Sequence, residues 1–393
     1  MKILFLNWNG YGNEDIIDTL REMGEKGEDI DLLLFEFDIH KDRDSKDFCI
    51  DFTSYLEKTN PDFVLSMNYY PIISKACQKA RVKYAAWVYD NPSVSLFSYT
   101  LINDCNHVFL FDSQMYEMFA SQGIKNVYYL PMAAPVSRYQ KITVTDKEKQ
   151  KWGGDISFVG SLYNEKGDFY DRIKDKLSDH TRGYLEGVMR AQMQVWGLNM
   201  VEGLLDERSL GEMVDALGLE PNYDGAETLE YLYSNYVMYR KITAIEREEL
   251  LKEIGQKHEV KLYTKSKAFS PPGVTNQGQI DYYSEMPLVF KTSDINLNIT
   301  LRSIQRGIPL RCMDIMGCGG FLLTNYQEDL LRFFVPNEDF VFFESREDLL
   351  RKIDYYLVHE DERKRIANSA LEKMKIEHDY EHRLRTIILA VLG

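Results

Sequence analysis

No run of apolar residues in this 393-residue chain approaches the length of about 20 that a membrane helix needs, so no helical membrane span is expected. The apolar run after Lys2 is four residues long, far short of a signal-peptide core, and a cytoplasmic protein is expected. Cysteine is sparse: Cys49, Cys77, Cys105, Cys312 and Cys318 form no CxxC pair, which excludes a disulfide scaffold and a cysteine zinc site and fits a reducing compartment. Positive charge is short as well. With 47 Lys+Arg against 62 Asp+Glu the net charge is −15, which argues against a nonspecific grip on nucleic acid or anionic lipid.

Several motifs are missing. The seven histidines (His40, His107, His180, His258, His359, His378, His382) form no HExxH and stand with no Cys or Asp at ligand spacing. Asp29-Ile30-Asp31 precedes its strand and Asp42-Arg43-Asp44 lies in a polar loop, so both read as solvated charge and no metal is expected. The sequence has no GxSxG elbow and no GxxxxGK[ST] loop, which disfavours hydrolase and kinase chemistry. Gly10-Tyr11-Gly12 is not a dinucleotide fingerprint, because the third glycine position holds Asp15.

What is present is globular and α/β. The composition is 44% hydrophobic and 13% aromatic with 26 tyrosines, whose hydroxyl-bearing rings suit both packing and grooves for hydroxylated ligands. Over residues 1–135 apolar runs alternate with amphipathic stretches, the pattern of a parallel sheet covered by helices. The strands read at KILFLN (2–7), DIDLLLFEFD (29–38, buried on both faces), PDFVLSMN (61–68), KYAAWVYD (83–90), HVFLFD (107–112) and NVYYLPM (126–132). Residues 136–154, with TDKEKQKWGG, read as a linker. A second cycle opens with DISFVG (155–160), is interrupted by a helical insertion over about 164–257, and resumes with EVKLYT, GQIDYY, DINLNIT, GFLLTN and FVFFES through residue 376. Closing helices follow, of which 377–393 can return to the first domain. Two Rossmann-like domains facing across a cleft, with ligands at the carboxyl ends of the strands, are the expected architecture.

The densest chemical signal is INLNITLRSIQRGIPLRCMDIMGCGGFLLTN (295–325). Ser303 and Gly307-Ile308-Pro309 precede a helix predicted to begin near Pro309, whose N–H groups can receive a diphosphate. Arg302, Arg306 and Arg311 supply cations there, although three arginines around a turn are equally a solvated surface. Asp314, one turn inside, can accept both hydroxyls of a ribose. Gly317, Gly319 and Gly320 allow a backbone to come close to a ligand, or form a helix C-cap and tight turn.

The run RCMDIMGCGGFLLTN, with NLNITLRSIQRGIPLR before it and EDLLRFFVPNEDFVFFES after it, resembles the CgeB-like (spore maturation protein-like) glycosyltransferases, bacterial cytoplasmic enzymes of the two-domain GT-B fold. DISFVGSLYNE and NVYYLPMAA carry the resemblance across most of the chain. It implies transfer of a sugar from a nucleotide-diphospho donor, UDP-linked by expectation, without cofactor or metal, to a hydroxyl of a protein or glycan acceptor. In retaining GT-B enzymes two glutamates eight apart flank this helix and the second binds the donor ribose. Asp314 takes that second place, whereas the first is Arg306, a departure from the pattern. By the same resemblance Gly160 and Ser161 face the donor phosphates, and Tyr263 with Gly278-Gln279-Ile280 walls the base, the backbone of Gln279 and Ile280 reading a uracil edge.

On the N-terminal side, the turn holding Asn9, Gly10 and Tyr11 can arch over donor or acceptor, or be a plain βα turn. Asp90, at the end of KYAAWVYD, is the first candidate for a general base on an acceptor hydroxyl, ahead of Glu36 and Asp38; an Asx-type turn before Pro92 competes with that role. Arg311 is expected to stabilise the departing diphosphate. Two other functions are compatible with these residues: a noncatalytic nucleotide-sugar or glycan-binding module, favoured by Arg306, and a nucleotide-sugar epimerase sharing the fold.

Overall fold

A computed structural model describes residues 1–8, 10–38, 45–164 and 168–393. The chain forms two compact units. Residues 1–135, 222–227 and 378–393 make the first, and residues 136–221 and 228–377 the second.

The first unit holds a six-stranded sheet of β1 (Lys2–Asn7), β2 (Asp31–Glu36), β3 (Phe63–Met67), β4 (Lys83–Val88), β5 (Asn106–Leu110) and β6 (Val127–Tyr129). All its pairings are parallel, in the order β2-β1-β3-β4-β5-β6. β3 is buried along its length and β4 from Tyr84 onward, because helices cover both faces of a parallel sheet. β2 departs from expectation: it is an edge strand, and Leu34 is exposed. A run of leucines signals a strand but not its place in the sheet. The C-terminal helix Tyr380–Leu392 packs against the helix Asn13–Glu25, where Lys26 Nζ donates to Glu381 at 2.6 Å.

The second unit repeats the scheme with β7 (Gly154–Val159), β8 (Val260–Tyr263), β9 (Val274–Asn276), β10 (Ser293–Asn298), β11 (Leu322–Asn325) and β12 (Val341–Phe343). The order is β12-β11-β10-β7-β8-β9, again parallel, with helical segments from Phe169 to Ile254 filling the connection from β7 to β8. Side chains alternate across β10. Ile295 and Leu297 join the core beneath the helices Tyr239–Ile254 and Arg346–Val358. Asn296 turns the other way and donates to Phe290 O at 3.1 Å in the helix Met286–Thr292, while Asn298 reaches Thr324, which also bonds Cys312 of the helix Leu310–Gly317.

Two segments differ from the sequence reading. Residues 136–154 are not a linker but two short helices, Val136–Lys141 and Asp146–Trp152, with Tyr139 and Trp152 buried. Thr145 starts the second helix through a reciprocal capping box with Glu148, a signal present in TDKE. GQIDYY is not a strand either. Gly278 sits at φ +81°, and the Asp281 carboxylate accepts from the amides of Tyr283 and Ser284, so the segment is a loop leading to Met286–Thr292; the strand is the shorter β9 before it.

Candidate functional site

In the second unit the winding reverses between β7 and β10, the place where open parallel sheets leave a crevice beyond their carboxyl ends. One guanidinium joins the two loops that leave the sheet there. Arg247, buried on the helix Tyr239–Ile254, donates from Nη1 to Ser161 O at 2.5 Å and from Nε to Ile299 O at 2.9 Å, beneath the ring of Tyr163. The sequence reading overlooked this residue. Its signal is the helical face Thr243, Glu246, Arg247, Leu250, Ile254, where an arginine stands among positions that face the core.

The residues expected at the diphosphate divide into two groups. Gly160 and Ser161 do lie at the carboxyl end of β7, half-buried. The Gly160 amide, however, donates to Tyr263 O at 3.0 Å, and the Ser161 hydroxyl accepts from Tyr163 N at 3.0 Å, so both groups are already engaged within the fold. The helix does begin beside Pro309, at Leu310, with no side chain capping its amides. Ser303, Ile308 and Pro309 have buried side chains, which leaves backbone as the chemistry of the turn. Arg311 is on that first turn with its side chain 26% exposed, beside Asp314 Oδ2 at 3.7 Å and over the Phe290 ring.

Arg302 does not serve as a phosphate ligand in this structure. It is 5% exposed and holds the buried Glu246 carboxylate with two bonds of 2.8 and 2.5 Å, donates to the carbonyls of Val195 and Met193, and stacks on Trp196 at 3.2 Å. It is a clamp between the loop after β10 and the helical insertion. Gly319 and Gly320 are corrected too, since both precede β11 and so lie at the amino edge, away from the crevice. Gly319 takes φ +77° after the helix, and a Cβ on Gly320 would stand 2.6 Å from Phe290 O and from Asn296 Nδ2. Their role is a helix end packed against the neighbouring strand.

Asp314 is the sharpest correction. It has no exposed surface, and Oδ1 accepts from the hydroxyls of Tyr139 at 2.8 Å and Tyr282 at 3.3 Å. Burial pushes its carboxyl above the usual range, with Arg311 opposing. A carboxylate so enclosed ties the Leu310–Gly317 helix to the Val136–Lys141 helix and to the loop 277–285, and does not present itself to ribose hydroxyls. Gln279 and Ile280, on that same loop, are exposed and half-buried. Tyr263 is buried against Trp152 at 6.1 Å, not an open wall; burial pushes its phenol up to about 12.

The first unit has its own crevice at the β1–β3 reversal. Trp8 follows β1, donates Nε1 to Met67 O at 3.3 Å and stacks parallel to Tyr89 at 6.4 Å. Gly10 lies beneath the Trp8 indole, where a Cβ would come within 2.5 Å of the ring, and Tyr11 is 49% exposed. Asn9 lies outside the described residues, as do His40 and Asp42-Arg43-Asp44. Asp90 is exposed at the end of β4, and Asn68 after β3 fixes it, donating Nδ2 to Asp90 Oδ2 at 2.8 Å and accepting from Asp90 N at 3.2 Å. That brings Trp8, Tyr89 and Asp90 to one sheet edge. Glu36 is engaged by Asn7 Nδ2 at 2.9 Å and Asp38 is exposed. Among the described residues no group of three His, Cys, Asp or Glu is placed to hold a metal ion, and no helix is long and apolar enough to cross a membrane.

Residues 240–388 match a family described as glycosyl transferase-like. Solved structures resemble the whole chain. A glycosyltransferase from Rickettsia africae superposes with a TM-score of 0.54 at 12% identity, covering 99% of this chain and 97% of that one. Sucrose-phosphate synthase from Thermosynechococcus elongatus gives 0.53 at 11%, covering 99% and 98%. HepE from Anabaena, solved with UDP-glucose, gives 0.54 at 12%, covering 100% and 99%. No curated protein matches the sequence. The fold is that of the GT-B glycosyltransferases.

Proposed function

We propose that the chain is a CgeB-like bacterial glycosyltransferase of the cytoplasm, moving a hexosyl or N-acetylhexosaminyl group from a UDP-sugar to a hydroxyl of a protein or glycan, without metal. The observation that carries this reading is that residues 240–388, the stretch matching the glycosyl transferase-like family, contain the loop after β9, the loop after β10 and the Leu310–Gly317 helix. These are the parts of the second unit that meet at its β7–β10 reversal.

In the proposed reaction the bond from the anomeric carbon to the UDP oxygen breaks as the acceptor oxygen bonds to that carbon. Negative charge grows on the departing diphosphate. Amides at the mouth of the Leu310–Gly317 helix and the Arg311 guanidinium stabilise it, and the acceptor proton passes to Asp90, which Asn68 holds in place. Asp314 is then a positioning residue for the loop carrying Gln279 and Ile280.

Incubating the protein with UDP-sugars in the presence of EDTA, and following UDP release by mass spectrometry, tests the reading. Arg311→Ala is expected to lower kcat about 10²-fold with a smaller change in KM, and Arg311→Lys to recover part of the rate. A noncatalytic module is the competing function, supported by Arg306, whose guanidinium pairs with Glu328 at 3.2 Å, and by the enclosure of Asp314. Binding without turnover for every donor would establish the module instead.

A further inference from the structure

A cavity of about 750 Å³ lies wholly within the second unit, under the insertion helices Phe169–Ile173 and Asp179–Gln192 and beside the turn after β12. It opens on the side of the sheet covered by Tyr239–Ile254 and Arg346–Val358, whereas the Leu310–Gly317 helix covers the other side. Its volume is in the range of small-molecule sites. Nothing in the transfer mechanism uses it.

Its walls define a ligand class. The charged walls are of both signs and partly paired already: Lys241 with Asp171 at 2.7 Å, Arg346 with Glu249 at 2.6 Å. An ionic ligand of either sign therefore meets repulsion as well as attraction. Hydroxyl groups meet neither, since each can donate to a carboxylate such as Glu186 or Glu344 and accept from the Arg190 guanidinium. Trp196, half-buried, adds flat apolar surface for the C–H face of a sugar ring.

We propose that this cavity is a second carbohydrate site, which takes a neutral oligosaccharide segment apart from the nucleotide seat. The site would hold a glycan chain while chemistry proceeds elsewhere on the enzyme. Its recognition chemistry stands independently of the transfer reading.

Titration of the full chain with maltotriose, cellotriose, chitotriose and the anionic trigalacturonate, by saturation-transfer NMR and calorimetry with and without saturating UDP, tests it. At least one neutral trisaccharide is expected to bind, to stay bound when UDP is added, and to bind about five- to ten-fold more weakly to Arg190→Gln, a variant that removes an exposed guanidinium of the lining. Glu186→Gln, on the exposed rim, is expected to weaken the same ligand. Absence of binding by every neutral sugar up to about 20 mM, displacement by UDP, preference for trigalacturonate, or unaltered affinity in Arg190→Gln would each overturn the proposal. UDP binding in the same samples is read separately, so its failure strikes the transfer reading and leaves the cavity result intact.

Discussion

A buried ionisable group is stable only with partners, and the second unit shows two ways of supplying them. Arg302 has its guanidinium bonded to Glu246 and to two backbone carbonyls, so the charge pair is closed on itself. Asp314 is closed less completely: two tyrosine hydroxyls serve Oδ1, while Oδ2 has, among the described residues, only Arg311 at 3.7 Å. Because burial raises the folded-state pKa of Asp314 above its ordinary value, the native state binds a proton more tightly than the unfolded chain. The associated stability is full below the unfolded pKa and is lost as pH rises through the folded one. Asp314→Asn, neutral at every pH, is therefore expected to gain in melting temperature relative to the parent as pH goes from about 4 to 8; a difference independent of pH would contradict the raised pKa. The positions of Arg302 and Asp314 on a loop and a helix were legible from RSIQRGIPLRCMD. Their orientations were not, because the partners that decide them, Glu246 and Tyr139, stand 56 and 175 residues away.

At the scale of elements, hydrophobic period and turn chemistry carried most of the reading. The Leu310–Gly317 helix starts one residue after Pro309, and among the described residues eleven of the twelve strands coincide with apolar runs picked out in the sequence, β9 being the exception. Failures came where a polar stretch had a local device instead of a stripe. The Asp146–Trp152 helix buries little besides Trp152 and depends on the Thr145–Glu148 box, in which Thr145 N donates to Glu148 Oε2 at 2.5 Å and Glu148 N to Thr145 Oγ1 at 3.3 Å. Thr145→Ala is expected to cost about 1 kcal/mol in chemical denaturation, with Thr145→Ser near neutral. An unchanged midpoint for Thr145→Ala would mean that packing of Trp152 alone sets the helix. GQIDYY misled for the opposite reason: its aromatic pair has strand composition, but the Asp281 carboxylate captures the amides that a strand would need.

Across the whole molecule, two doubly wound parallel sheets were legible from the repeated alternation of strand and helix, since a parallel crossover demands a covering helix. The assignment of residues 222–227 to the first unit had no such signal: their tie is Asp224 O accepting from Tyr99 N, and Asp224 Oδ2 from Ser98 Oγ at 2.9 Å. The functional account rests on where a UDP-sugar sits, and a crystal structure of the complex with UDP measures that directly. The account predicts the diphosphate at the first turn of the Leu310–Gly317 helix within reach of Arg311, and the uracil against the backbone of Gln279 and Ile280. A nucleotide lodged in the cavity lined by Trp196 and Arg190, or on the first unit, would contradict it.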